Sequence, residues 1–275
     1  MELCRSHNKV IKTMKKILIA SLLALSSLSA FAAPDQSGLD PAFAKVQQYL
    51  QAKNYTAAYT ELDVMAKAGN AQAMYNQAYM IQMGQGTAKN NGKALKLYQE
   101  SSDKGYSVAS YVLAQSYATG ELGLTKDAKK SKTYLEKASS QGFDDATLEL
   151  AVMAFAEGKD KEALQRIDPL IKKGNSQAIH TKALYDITQG YKTKNETLVK
   201  QGLNAIRDLA TKGYVPALMA VANMMTNGNI IEQNLPEAKK IYTALAKDNI
   251  PKAKESLDVV NKLLAEQAKQ PAPKK

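Results

Sequence analysis

The side chains that could do chemistry are few. Two histidines and one cysteine occur in 275 residues, and Cys4 and His7 both precede the first apolar stretch, which leaves His180 alone in the rest of the chain. That scarcity excludes a thiol nucleophile, a Cys-His pair, a thiolate zinc site and a two-His metalloprotease helix from the body of the protein. Neither a Gly-x-Ser-x-Gly elbow nor a phosphate loop ending in Gly-Lys-Ser/Thr is present, and Gly84-x-Gly86 is too short for a dinucleotide turn. Carboxylates remain: Asp144 and Asp145 with Glu149 could act as an acid/base pair. Asp144 and Asp145 also open an expected helix, where negative charge complements the dipole, so capping is the role read here. His180, two turns from Asp186, is read as a partly exposed histidine able to titrate near neutral pH. No catalysis, metal or cofactor is predicted.

The elements that must position these residues follow one recurring step, a Gly followed four residues later by Ala. It occurs at Gly69/Ala73, Gly105/Ala109, Gly142/Ala146, Gly174/Ala178 and Gly213/Ala217, and Asn249/Ala253 repeats it with Asn. The starts lie 36, 37, 32, 39 and 36 residues apart, the signature of stacked helical hairpins. An inner turn Gly follows each start at Gly84, Gly120, Gly158, Gly190 and Gly228, where it is expected to end the first helix of about thirteen residues. Nine residues past each start stand Ala78, Ala114, Ala151, Ala183 and Ala222, small enough to let helices approach. The second helices pair a small residue (Ala58, Ala94, Ser131, Ala163, Gly202, Ala238) with a large one four later (Leu62, Tyr98, Leu135, Ile167, Ile206, Tyr242). Such pairs share a face that no single hairpin can bury. Pro41, Pro216, Pro236 and Pro251 fall at expected helix starts, whereas Pro169 falls inside one and predicts a kink in the shortest unit.

Upstream, Met14-Lys15-Lys16, the apolar run Ile17 to Leu25 and the small-x-small site Ala30-Phe31-Ala32 read as an export signal cleaved after Ala32. Residues 1–13 read as an upstream extension. The 243 residues that remain carry 32 basic and 25 acidic groups, a net charge of +7. Thirty of those basic residues are Lys, scattered over every unit, with Arg166 and Arg207 the exceptions. Arg forks onto phosphates and guanine edges and Lys does not, so the charge reads as a solvated surface and no nucleic-acid partner is predicted. The apolar run is shorter than the roughly 20 residues a span needs, and Ser26, Ser27 and Ser29 dilute its end, so it reads as a cleaved signal and not an anchor, and no stable membrane insertion is predicted after cleavage.

Ala73-Met74-Tyr75-Asn76-Gln77-Ala78-Tyr79-Met80 to Gly84-Gln85-Gly86, with Lys93 to Tyr98 and Gly105, resembles the Sel-one-like repeat, a cousin of the tetratricopeptide repeat. Ala109 to Gly142 and Ala217 to Tyr242 are similar to further copies, while the units starting at Gly142 and Gly174 depart in length and carry Ala154 and Asp186 in place of an aromatic. The resemblance implies a right-handed α/α solenoid of about six antiparallel hairpins that scaffolds other proteins or peptides along its inner wall. By the same correspondence the wall takes residues six, ten and thirteen places past each start. Six past gives Tyr75, Tyr111, Leu148, His180 and Met219. Ten past gives Tyr79, Gln115, Val152, Leu184 and Asn223, and thirteen past gives Gln82, Ala118, Phe155, Ile187 and Thr226.

The sequence thus predicts an all-α protein: signal and extension over 1–32, a flexible lead over 33–39, one repeat domain over 40–268 and a disordered tail over 269–275. Hairpins start near 40, 69, 105, 142, 174 and 213, and a polar capping helix starts near 250. The function predicted is a monomeric periplasmic or secreted scaffold that binds a protein or peptide on an almost uncharged wall. The alternatives are a periplasmic immunity or inhibitor protein and a cell-wall or β-lactam-related binding protein or hydrolase. The β-lactam-related members of the resembling family are cysteine-rich, and this chain lacks their disulfides.

Overall fold

The computed structural model describes residues 43–269, and they divide into two compact units, one through Ile167 and one from Asp168. The signal segment, the cleavage site, the start at Pro41 and residues 270–275 lie outside the described residues. The described chain is all-α, as the repeat spacing requires.

The first unit holds α1 (Ala44–Gln51), α2 (Tyr55–Lys67), α3 (Ala71–Met83), α4 (Asn91–Asp103), α5 (Ser107–Thr119), α6 (Ala128–Ser140) and α7 (Asp144–Ala156). It ends within α8 (Asp160–Lys172), which contains Pro169. A short 3-10 turn, Glu121–Gly123, separates α5 from α6. Gly105 shows how the repeating step works. Its φ of 94° is one that side chains resist. Its N–H donates to the Ser102 carbonyl at 3.1 Å while the Tyr106 N–H donates to Ser101 at 3.1 Å. These are the two bonds that close a helix and turn the chain into the next one. The same pair recurs after Gly69, Gly142, Gly174, Gly213 and Asn249.

Buried positions match the repeated residues. Ala73, Ala109, Ala146, Ala178, Ala217 and Ala253 are all 0% exposed, and Leu62, Tyr98, Leu135, Ile167, Ile206 and Tyr242 are between 0 and 2%. Each large side chain so buried contributes about 1.5–3 kcal/mol. Asn and Asp residues fix most other helix starts: Asn54, Asn70, Asn90, Asp127, Asn175, Asn195 and Asn234 each accept a hydrogen bond from a backbone N–H three residues on.

The second unit continues with α9 (Ser176–Thr193), α10 (Glu196–Thr211), α11 (Val215–Asn227), α12 (Leu235–Lys247) and α13 (Ala253–Ala268). Here one expectation fails. Gly190 does not end a helix: α9 runs through it to Thr193, and Lys194 takes the left-handed position at φ 57°. Gly190 serves close packing instead, since a Cβ there would lie 2.6 Å from Val199 Cγ2. The longer α9 and α10 account for the 39-residue spacing. Pro251 lies in the turn before α13, not in its first residue. In α13, Val260 is buried against α11 and α12, while Lys254, Glu255, Asp258, Lys262 and Glu266 are exposed.

Candidate functional site

The candidate wall is drawn from the first helices of the hairpins, and the structure redraws its membership. Tyr75, Leu148 and His180 are core residues, 4, 1 and 5% exposed. For Tyr75 and His180 the cause is a contact between successive hairpins. The residue after each start Gly, when aromatic, packs on the residue six past the previous start. Tyr106 lies 5.3 Å from Tyr75 and Phe143 lies 4.8 Å from Tyr111, centroid to centroid. Tyr214 meets His180 edge-on at 5.7 Å. Leu184, Ile187 and Thr226 are also buried, so they leave the wall too.

His180 is therefore not the near-neutral group anticipated. Burial pushes its pKa down to about 4, against a smaller opposing hydrogen bond to the Pro216 backbone, and its Nε2 is buried with no partner. It is a neutral packing residue at pH 7.

Two amides of the predicted wall are held by second-helix tyrosines. The Tyr98 hydroxyl donates to Gln82 Oε1 at 2.9 Å, and the Tyr242 hydroxyl donates to Asn223 Oδ1 at 2.8 Å. Met219 is half-buried against the α12–α13 cluster, and Phe155 is half-buried near the end of α7. Tyr79 is half-buried beside the Tyr75–Tyr98 cluster.

The most developed polar arrangement spans α5 and α7. Tyr111 and Gln115 are one turn apart on α5, and both hydrogen-bond to Glu149 on α7. The Gln115 Nε2 amide donates to Glu149 Oε2 at 3.1 Å, and the Tyr111 hydroxyl shares a further hydrogen bond with that carboxylate. Desolvation raises the Glu149 pKa and the nearby Asp145 charge raises it further, while the two hydrogen bonds pull it back. Asp145 is raised by desolvation first and by Asp144 second. Neither Asp caps the helix: Phe143 occupies the N-cap position and makes no side-chain cap bond, and both acids sit in the first turn. The wall is thus not almost uncharged, because Asp145 and Glu149 stand three and seven places past their Gly. Offsets of six, ten and thirteen had passed over both. The half-buried Glu149 carboxylate, flanked by a phenol and an amide and with the exposed Asp145 one turn away, can hold a hydrogen-bond donor or a cation. Elsewhere in this unit Arg166 forks onto Glu136 with two 3.0 Å bonds and also reaches Glu162, an arrangement that ties α6 to α8.

The hairpin geometry agrees with the family comparison. The family profile described as "Sel1 repeat" matches residues 71–106, 107–143 and 215–249. The chain carries three Sel1 repeats. The matched stretches are the α3–α4, α5–α6 and α11–α12 hairpins, and the units starting at Gly142 and Gly174 are left out of the match. Among solved structures it is similar to a Sel1 repeat protein from Oxalobacter formigenes, with 23% identity over 86% of this chain and 100% of that one, at a TM-score of 0.67. It is also similar to a protective antigen of uropathogenic Escherichia coli strains that displays an SLR fold. That match has 22% identity over 79% of this chain and a TM-score of 0.62. The chain covers 48% of the antigen's length. Likeness at this identity establishes the shared solenoid fold. No curated protein matches the chain. Among the described residues no helix is long and apolar enough to cross a membrane.

Proposed function

We propose that this protein is a periplasmic, non-catalytic scaffold that binds a protein or peptide on the inner wall of its first helices. The observation that carries the reading is the arrangement of Tyr111, Gln115 and Glu149 across α5 and α7, with Tyr79 on the neighbouring α3. Phenol, amide and carboxylate groups share a half-buried surface there, and Tyr gives large contact area at modest entropy cost. The Sel1 repeat is in general a protein-interaction module, which agrees with the reading. Export rests on the segment from Met14 to Ala32.

A triple variant Tyr79→Ala, Tyr111→Ala, Gln115→Ala tests the wall. Binding of a partner captured by the native protein falls at least tenfold while the helical circular dichroism signal is kept. Undiminished binding by the folded variant refutes the wall as the site.

A further inference from the structure

A second feature lies where the wall ends at Gln82, at the edge where the inner turns of the α3–α4 and α5–α6 hairpins meet. A cleft of about 530 Å³ opens there, bordered by Gln82 and Met83 at the end of α3, Asn91 at the start of α4, and Leu122 between Gly120 and Gly123. Its volume falls within the range of ligand pockets.

Three observations describe what the cleft lacks. The Asn91 Oδ1 atom is buried without a hydrogen-bond partner, so it calls for a donor. Gln82 has its Oε1 taken by the Tyr98 hydroxyl, which leaves its Nε2 amide to donate. Met83 is 51% exposed, while Leu122 is held at φ 57° and ψ 18°, a left-handed conformation that a bulky side chain adopts only where the surroundings impose it. An acceptor, a donor and an aliphatic pair together complement one peptide unit and one apolar side chain.

We propose that this cleft binds an extended segment of a polypeptide. The segment's backbone N–H donates to Asn91 Oδ1, its carbonyl accepts from Gln82 Nε2, and one aliphatic side chain rests on Met83 and Leu122. The inference stands on the reading that the repeats bind polypeptide, and it adds a backbone-reading position at the turn edge.

The test uses the full mature chain, isotope-labelled, and two probes: N-acetyl-leucine N′-methylamide, and its analogue methylated on both amide nitrogens. The first probe produces saturable NMR shifts at Met83, Asn91, Gly120 and Gly123. The methylated analogue binds about tenfold more weakly, the effect of one lost hydrogen bond. Asn91→Ala lowers affinity for the first probe by a similar factor, and Asn91→Asp, which keeps the acceptor, retains it. Absence of saturable shifts at these residues, or equal affinity for the two probes, overturns the proposal. If the cleft fails this test while the Tyr79, Tyr111 and Gln115 variant still loses its partner, this inference falls and the wall reading stands. If the probe binds the cleft as described and the wall variant keeps its partner, the cleft stands and the wall reading falls.

Discussion

Gly202 separates what the repeat pattern recommends from what packing allows. In the other units its position holds Ala58, Ala94, Ser131, Ala163 and Ala238. Gly in a helix interior costs about 1 kcal/mol relative to Ala, so the pattern alone recommends Gly202→Ala as stabilising. The structure predicts the opposite. A Cβ at Gly202 would lie 2.6 Å from the Ala183 carbonyl oxygen, 2.7 Å from Ile187 Cγ1 and 3.1 Å from the Ile187 nitrogen. Two of these atoms are backbone and cannot rotate aside, so α10 must move off α9 and loosen Ile187 and Ile206, which are 0 and 1% exposed. Overpacking of this kind costs about 1–3 kcal/mol, which outweighs the propensity gain and leaves a net loss of about 1 kcal/mol. Repeat proteins open locally, so the measurement is native-state hydrogen exchange of α9 and α10 amides together with urea unfolding. Gly92→Ala is the control, because the nearest atom to its Cβ is Asn90 Oδ1 at 3.6 Å, and it gains up to about 1 kcal/mol. Equal or greater protection in Gly202→Ala would refute the packing argument.

Other perturbations follow from the charges. His180 is held neutral with a pKa of about 4 against 6.5 when unfolded, so its contribution is intact above pH 6.5 and is lost as pH falls towards 4. Relative to His180→Gln, the native protein loses up to about 3 kcal/mol across that window in pH-dependent unfolding. A matching pH slope in the two proteins contradicts this. Glu149 has a raised pKa, so its charge costs stability at neutral pH and the cost is relieved as pH falls through the raised value. Glu149→Gln therefore stabilises at pH 7 by about 0.5 kcal/mol and has no effect once the native carboxyl is protonated, as read by urea midpoints at the two pH values. Arg166→Ala costs about 1 kcal/mol in low salt and less in 0.5 M salt. Arg166→Lys recovers only part of that, because the bidentate contact to Glu136 needs the guanidinium fork. Intact-mass measurement and N-terminal sequencing of the protein purified from expressing cells give Ala33 as the first residue if Ala32 is the cleavage site.

The scaffold was legible because each of its parts is set by local chemistry. A positive φ selects Gly at Gly105 and its equivalents, and close helix approach selects Ala at Ala78 and Ala114, so spacing alone recovers the hairpins. The wall was less legible because its membership is decided between hairpins. Tyr75 and His180 are turned into the core by Tyr106 and Tyr214, aromatic residues directly after a start Gly, and that signal was in the sequence but had no assigned role. Glu149 lies one place beyond the six-residue offset, and on a helix one residue is about 100° of rotation, enough to move a side chain from core to surface. Gly190 shows the opposite limit. A Gly at the repeat's turn position was kept for contact with Val199, and only the packing of α9 on α10 distinguishes the two uses.

Whether the first-helix wall binds polypeptide is decided by site-specific photocrosslinking in cells that express the protein. A photoreactive phenylalanine analogue replaces Tyr111 on α5 or, as the control, the exposed Thr133 on α6. One discrete crosslinked protein or peptide is expected from position 111, competed by unlabelled native protein and absent from position 133. Equal crosslinking from both positions, or none from 111 in the folded protein, would contradict a binding wall.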